Sequence, residues 1–492
     1  MNYRMIGFLI GRILLVEGIF LLPAFFISLG QGERAAGNAI LITIALLVAF
    51  GVALSIKKPK RRTMHLQDSF VMVALSWVLV SLFGALPFTL SGAIPNYIDA
   101  VFEAISGFTT TGGSILTDVE AMPMGLLYWR SFTHWLGGMG VLVFLLAIMP
   151  NEQEGGEGLS IMQAESTGPS VGKLVPRLRD TAKILYLIYC GMTIIQLVLL
   201  LLGQMPLFDA VTLTFGTAGT GGFAVRADGL ASYSTYCQVV ITIFMALFGV
   251  SFNLYHAILI GAGLKVLKNE ELRVYFALML GSALLIALNI LPSMANFGKA
   301  FHHASFQVSS IMTTTGYSTV DFNLWPTFSK MLLVILMFFG ACAGSTGGGM
   351  KISRLIILIK SAKNAIGQIV HPNKVRVVQM NGETVDDSVV KNTQSFLVIY
   401  CLIAMVSMLL IGLLDNLSTE ATATSVIACL NNIGPGLDSV GPMGNFYHLS
   451  YPSKIILSLN MLFGRLEIFP MLLLFSPAAW RGNRRKNRRS LD

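Results

Sequence analysis

Charge is scarce in this chain. Asp, Glu, Lys and Arg make up 12% of its 492 residues and the mean hydropathy is +0.70, whereas a soluble domain carries about a quarter charged residues. That composition excludes a soluble globular protein and points to a membrane protein. Apolar/polar alternation is missing too: the apolar runs are continuous, which excludes a β-barrel. The five cysteines, Cys190, Cys237, Cys342, Cys401 and Cys429, form no CxxC pair and lie in or beside apolar runs. Neither a disulfide framework nor a metal site is expected from them. No HExxH motif and no paired intramembrane aspartates are present, so the residues of an intramembrane protease are lacking.

What the chain has in abundance is apolar length. A helix needs about 20 apolar residues to cross the hydrocarbon. Ten runs qualify, at roughly 5–30, 37–56, 67–92, 125–150, 181–204, 232–262, 272–292, 329–362, 392–414 and 451–478. The first is long and is followed by no small-residue cleavage pattern, so it reads as a retained span rather than a signal peptide. Lys and Arg gather at 57–62, 173–183, 265–273, Lys351 to Arg376 and 481–489, after every second span. The positive-inside rule then puts these clusters and both termini in the cytoplasm. The net charge of +9 therefore faces anionic lipid or a cytoplasmic partner, not nucleic acid.

The outer joints between paired spans resemble one another. They read DAVFEAISGFTTTGGSILTD (99–118), DAVTLTFGTAGTGGFAVRAD (209–228), AFHHASFQVSSIMTTTGYSTVD (300–321) and EATATSVIACLNNIGPGLD (420–438). Each has about ten moderately apolar residues, a Thr- or Asn-containing triplet, a glycine (Gly112, Gly221, Gly316, Gly434) and, within seven residues, an aspartate (Asp118, Asp228, Asp321, Asp438). The second copy, with Gly219, Gly221 and Gly222, leaves its register open by two residues. Repetition at this period reads as one supersecondary unit used several times: a span, a short re-entrant helix, a glycine loop, a span. The chain divides into two additional N-terminal spans (1–62), four repeats (63–180, 181–270, 271–390 and 391–480) and a basic tail (481–492). The predicted fold is all-α, with four pseudo-symmetric span/pore-loop/span repeats around one ion pore.

Non-helical backbone at membrane depth is tolerated only where it is buried in protein or lines a water-filled cavity. Four such strands around one axis offer rings of carbonyl oxygens, which replace a cation's hydration shell. Re-entrant helices aim their negative C-terminal ends at the centre and so favour a cation without a fixed charge. No carboxylate lies in any of the four triplets, which argues against a carboxylate-ring filter for divalent cations. Within the run 329–362, GACAGSTGGGMK holds Gly344, Ser345, Thr346, Gly347, Gly348 and Gly349. Each interior glycine costs a helix about 1 kcal/mol, so a loop under the filter is expected. Its GxxxxG spacing is not a phosphate loop, since Met350 stands in the lysine position. Arg465 lies mid-span, where arginine costs about 2.5–3.5 kcal/mol, and is expected below the filter, repelling cations or pairing with the glycine loop. Glu467, two residues on, is a poor intrahelical partner for it. The four aspartates are read as an outer rim that concentrates cations or as loop braces, and His302 and His303 as packing residues. Transport is channel-like or coupled; coupling calls for an intramembrane carboxylate relay, for which Glu17, Glu103 and Glu467 are the nearest candidates.

The paired-span organisation, WRSFTHWLGGMGVLV (129–143), GACAGSTGGGMKISR (340–354), NNIGPG (431–436) and FGRLEIFP (463–470) together resemble the Trk/Ktr/HKT superfamily of potassium transporters. The two additional N-terminal spans are similar to its TrkH-type branch. The resemblance covers essentially the whole chain and implies potassium as transported substrate, no cofactor in this chain and no enzymatic activity. It implies potassium-binding filter positions at Thr110, Thr111, Gly112, Thr220, Gly221, Thr314, Thr315, Gly316, Asn432, Ile433 and Gly434. Four unlike strands imply weaker discrimination against sodium than a symmetric filter gives. A gate at the glycine loop and Arg465, a homodimer in the bacterial inner membrane and a cytosolic TrkA-type nucleotide-binding ring as partner also follow from the resemblance. The basic segments after Lys351 and in the tail are the expected docking places for that ring.

Overall fold

In hydrocarbon every backbone polar group must be satisfied within its own segment, and the apolar runs of this chain accordingly become helices. The computed structural model describes residues 1–57, 59, 66–140, 178–373 and 376–480. Most of the basic cluster at 57–62, residues 173–177, the end of the fourth run (141–150) and the basic tail lie outside the described residues.

The first two helices, α1 (Tyr3–Phe20) and α2 (Leu22–Gly30), form one long span, and α3 (Arg34–Ser55) returns against it. The pair crosses closely because Gly11 and Gly51 face each other; a methyl at either would meet the other's carbonyl oxygen. Four groups follow in order. The first is α4 (Leu66–Gly84), α5 (Leu86–Leu90), α6 (Tyr97–Phe108) and α7 (Met124–Gly138). The second is α8 (Leu178–Leu202), α9 (Leu207–Gly219), α10 (Thr235–Phe248) and α11 (Phe252–Ala257). The third is α12 (Glu270–Met294), α13 (Phe297–Met312), α14 (Thr327–Phe338) and α15 (Ile352–Val370). The fourth is α16 (Asp387–Leu414), α17 (Thr419–Leu430), α18 (Tyr451–Arg465) and α19 (Phe469–Phe475). The second member of each group, or the third in the first group, is a half-length helix: α6, α9, α13 and α17. A small antiparallel hairpin pairs Gln379–Met380 with Glu383–Thr384.

Among the described residues, six helical stretches are long and apolar enough to cross a membrane: Tyr3–Gly30, Arg34–Ser55, Gln67–Leu90, Ala182–Leu202, Glu270–Met294 and Asp387–Leu414. Three of the remaining runs are interrupted. The run at 232–262 turns by 87° between α10 and the segment from Phe252. A loop from another run enters this break: Cys342 N–H donates to Gly249 O (3.0 Å), and Phe252 N–H donates to Gly344 O (2.9 Å). The run at 329–362 is non-helical from 339 to 351, as its glycines predict. The run at 451–478, expected to be continuous, breaks after Arg465, with Glu467 and Ile468 at φ 59° and 66°. Pro470 falls in the first turn of α19, where a missing N–H costs no intrahelical bond, which fits the restart at Phe469.

Side chains tie the N-terminal helices to the first group. Both Glu33 carboxylate oxygens accept from the start of α7, at Met124 N (2.6 Å) and Gly125 N (3.2 Å). A carboxylate there satisfies two orphan donors and complements the helix dipole. Three of the half-length helices are begun by local caps: Asn96 accepts from Ile98 N, Asn296 from Gly298 N and Ser418 from Ala421 N; α9 instead follows Pro206.

Candidate functional site: a ring of four turns and the loop beneath it

All four half-length helices end in the same way. The donors Thr111 N, Gly221 N, Thr315 N and Ile433 N reach back five residues to Ser106 O, Gly216 O, Ser310 O and Ala428 O, each at 2.8 Å. The preceding amides, Thr110, Thr220, Thr314 and Asn432, bond three residues back at 3.0–3.3 Å. This is the Schellman cap, whose turning residue must be left-handed. Here that residue is Thr110 (φ 55°), Thr220 (55°), Thr314 (61°) or Asn432 (56°). A non-glycine residue held there costs of order 1 kcal/mol and persists only where the surroundings enforce it.

Two residues beyond each turn comes a glycine, again with positive φ: Gly112 (79°), Gly222 (80°), Gly316 (84°) and Gly434 (98°). These four close a ring. A methyl on Gly112 would strike Gly221 O, on Gly222 Thr315 O, on Gly316 Ile433 O, and on Gly434 Thr111 O. Each strand thus lays a glycine against the carbonyl that precedes the next strand's glycine, in chain order and back to the start. One open pocket of about 190 Å³ is lined by all four glycines. The second repeat therefore needs a correction: Gly222, not Gly221, is the counterpart of Gly112, Gly316 and Gly434, and Gly221 stands where the other strands have Thr111, Thr315 and Ile433. The sequence held the signal, because Asp99 and Asp209 each stand thirteen residues before the ring glycine.

The strands are braced differently. In the first, Thr109 Oγ1 lies 2.8 Å from Thr111 Oγ1; in the third, Thr313 Oγ1 lies 2.8 Å from Thr315 Oγ1. The fourth is tied sideways, with Asn432 Nδ2 donating to Thr111 Oγ1 (3.0 Å) and Met461 O (2.8 Å). The second has glycine at both corresponding positions, Gly219 and Gly221, and no such hydroxyl pair.

The loop 339–351 lies against the inner end of the third and fourth strands. Gly348 N–H donates to Thr314 Oγ1 (2.7 Å), a methyl on Gly347 would come within 3.0 Å of Thr313 O, and one on Gly348 within 2.8 Å of Asn431 O. The loop is pinned shut by Gly340 N to Met350 O (2.8 Å), and Gly344 takes φ 73° and Gly349 φ 66°. Ser345 Oγ turns back to Cys342 O (2.7 Å) and Thr346 Oγ1 reaches Phe248 O (3.2 Å). Glu271 accepts from Ala343 N (2.8 Å) and Ser353 N (3.0 Å), holding both shoulders. Two buried cations meet the loop. Lys351 Nζ donates to Gly347 O and Gly348 O, and Arg465 donates to Thr346 O (2.8 Å), Gly138 O (2.8 Å) and Gly137 O. Arg465 thus pairs with the glycine loop, and through it the last long helix is joined to the end of α7. Charge-assisted bonds of this kind are about twice as strong as neutral ones.

In the sequence Lys351 and Arg354 stand out only as members of the basic segment from Lys351 to Arg376. Arg354 takes Glu467 as its ion-pair partner, and its guanidinium lies 4.0 Å from the Phe396 ring. Glu103 is consumed as well, accepting from Arg130 Nε (2.6 Å), Ser114 Oγ (2.9 Å) and Ile115 N (2.9 Å). Of the three carboxylates considered for a relay, only Glu17 has neither oxygen hydrogen-bonded among the described residues; it is buried beside Gly84 and Phe108. The aspartates brace loops: Asp118 accepts from Glu120 N and Ala121 N, Asp321 from Asn323 N and Asp438 from Ser418 Oγ. Asp228 accepts from Ala231 N through its carbonyl, and its carboxylate lies within electrostatic reach of Arg226. His302 and His303 pack against Gln238 Oε1 (2.7 Å) and Thr319 Oγ1 (3.1 Å).

Long apolar spans enclosing half-length helices whose ends meet in one ring define an integral membrane protein with a central constriction. The TrkH family profile, described as a cation transport protein, matches residues 36–481, and the chain belongs to that family. It is a transport protein, not an enzyme. It is 34% identical over 495 residues to the Trk system potassium uptake protein TrkH of Salmonella typhimurium, covering 98% of this chain and 100% of the relative. It is 31% identical over 487 residues to TrkG of Escherichia coli, covering 98% and 99%. The crystal structure of the potassium transporter TrkH from Vibrio parahaemolyticus superposes with a TM-score of 0.87 at 31% identity, over 98% of this chain and 100% of that one.

Proposed function

We propose that this chain takes up potassium through the ring of four turns, acting as a selectivity filter, with the loop 339–351 and Arg465 as the gate beneath it. The observation that carries the reading is the ring itself: four identical caps, each with a left-handed residue and a glycine at the same spacing, closing on one another. Such a ring presents backbone carbonyls to a dehydrated cation. The filter positions are Thr110, Thr111, Gly112, Thr220, Gly221, Gly222, Thr314, Thr315, Gly316, Asn432, Ile433 and Gly434. The arrangement is four pseudo-symmetric repeats around one pore, plus the two N-terminal spans. That the relatives are named potassium uptake proteins supports potassium as the cargo. In this reading the chain sits in the bacterial inner membrane with both termini inside, forms a homodimer and is regulated by a cytosolic TrkA-type nucleotide-binding ring. Purified protein in potassium-loaded vesicles tests it: potassium should pass and sodium should pass more slowly, and a Gly316→Ala variant should lose the difference. Equal passage of both ions through the unaltered protein would sink the filter.

Coupled symport has one observation in its favour, the buried carboxyl of Glu17, which has no hydrogen-bond partner among the described residues. An intramembrane carboxylate without a partner is a place where a proton can be held. Glu17→Gln should then abolish any dependence of potassium uptake on a proton gradient; uptake that never depends on one removes this second reading.

A further inference from the structure

The second strand is the poorest in side chains, with Gly219, Gly221 and Gly222 around Thr220, and its threonine hydroxyl donates to the adjacent Gly219 O (2.6 Å). A chain so rich in glycine is the least able to hold one conformation by itself. Its support comes from α7. His134, fully buried, places Nδ1 2.8 Å from Gly107 O on α6 and Nε2 3.2 Å from Phe223 N, the amide just after the ring glycine. A carbonyl can only accept and an amide N–H can only donate. The partners therefore fix one neutral tautomer, with the hydrogen on Nδ1 and the lone pair on Nε2.

One helical turn earlier on the same face, Arg130 repeats the link. Its Nε donates to Glu103 on α6 (2.6 Å), its Nη1 donates to Ala224 O (3.0 Å), and its guanidinium lies 3.4 Å from the centre of the Phe223 ring. Glu103 and Gly107 are themselves one turn apart on α6, as Arg130 and His134 are on α7, so two parallel rungs run from the first half-length helix through α7 to the second strand. The imidazole also explains the glycines. A side chain on Gly221 would run into the His134 ring, and one on Gly219 into the His134 carbonyl. The space taken by threonine side chains in strands one and three is taken here by a histidine from a neighbouring helix.

We propose that His134 is the positioning residue of the second filter strand: its imidazole replaces the hydroxyl pair of the first and third strands and thereby sets the discrimination between potassium and sodium. This rests on the filter reading above. The test is the potassium-to-sodium flux ratio of purified protein in vesicles under an imposed potential, for the unaltered chain and for His134→Ala, His134→Asn and His134→Gln. Losing the hold on Phe223 N–H should cost about tenfold in the ratio, the worth of one buried hydrogen bond left unmade. His134→Ala and His134→Asn should both show this loss, because the shorter amide reaches only Gly107. His134→Gln, whose Oε1 can accept where Nε2 did, should restore most of the ratio. A role in packing alone would lower the amount of folded protein and leave the ratio unchanged in all three. If the His134 variants do not accumulate, Gly221→Ala, which pushes on the ring without removing it, should lower the ratio while Gly113→Ala does not. An unchanged ratio in folded His134→Ala, or in Gly221→Ala, overturns the proposal. An unaltered chain that fails to discriminate overturns the filter reading instead.

Discussion

Arg465 brings a permanent charge to the underside of the ring and spends it on three carbonyl oxygens. Removing the cation should both loosen the loop and lift the repulsion a potassium ion meets there. Arg465→Gln is expected to raise basal potassium flux about tenfold, equivalent to ~1.4 kcal/mol off the barrier, measured in vesicles without any cytosolic partner; a flux that falls would assign the residue a purely structural part. At the glycines the expectation is opposite in sign. Gly222→Ala drives a methyl into Thr315 O and should abolish discrimination, whereas Gly113→Ala meets only the Phe446 ring at 3.1 Å and should leave it intact. The sequence made glycine the important residue type but not its register in the second strand, because GTGG offers several equivalent glycines and only the backbone torsions separate them. The partner of Glu467 was not legible either: Arg354 lies 113 residues away and meets it only after both helices have broken.

Among the elements, the half-length helices were plain from sequence, since each is too short to cross a bilayer, too apolar for a loop and opened by a capping residue or proline. The loop 339–351 was equally plain from its glycines. What sequence did not carry was the response of its neighbours: α10 breaks at Gly249 because the loop inserts there, and no local propensity in TIFMALFGVSF announces that. Among the described residues, the loop's direct hydrogen bond to the ring runs from Gly348 N to Thr314 Oγ1. Thr314→Val keeps the side-chain volume and removes that acceptor, at a cost of ~1–3 kcal/mol for the amide left unsatisfied. Basal flux should rise while the potassium-to-sodium ratio stays near normal; a collapse of the ratio with no rise in flux would show the bond to brace the filter rather than the gate. The outer aspartates belong to loop architecture. Asp118→Asn keeps an acceptor for Glu120 N and Ala121 N, so uptake should change little at either low or high ionic strength; a loss confined to low salt would instead reveal steering by surface potential.

For the molecule as a whole, the ring order is the order of the chain, first strand to second to third to fourth and back to the first. Four unlike strands hold it in three ways: hydroxyl pairs in two, a sideways asparagine in one, and a histidine and an arginine from α7 in another. The central claim is that this ring passes potassium along its own gradient and prefers it to sodium. The most direct measurement is the flux of potassium, rubidium and sodium through purified protein in vesicles under an imposed electrical potential, with no proton or sodium gradient. The account predicts conduction of potassium and rubidium driven by the potential alone, with sodium slower. Equal rates for all three ions, or no flux until a second gradient is supplied, would contradict it.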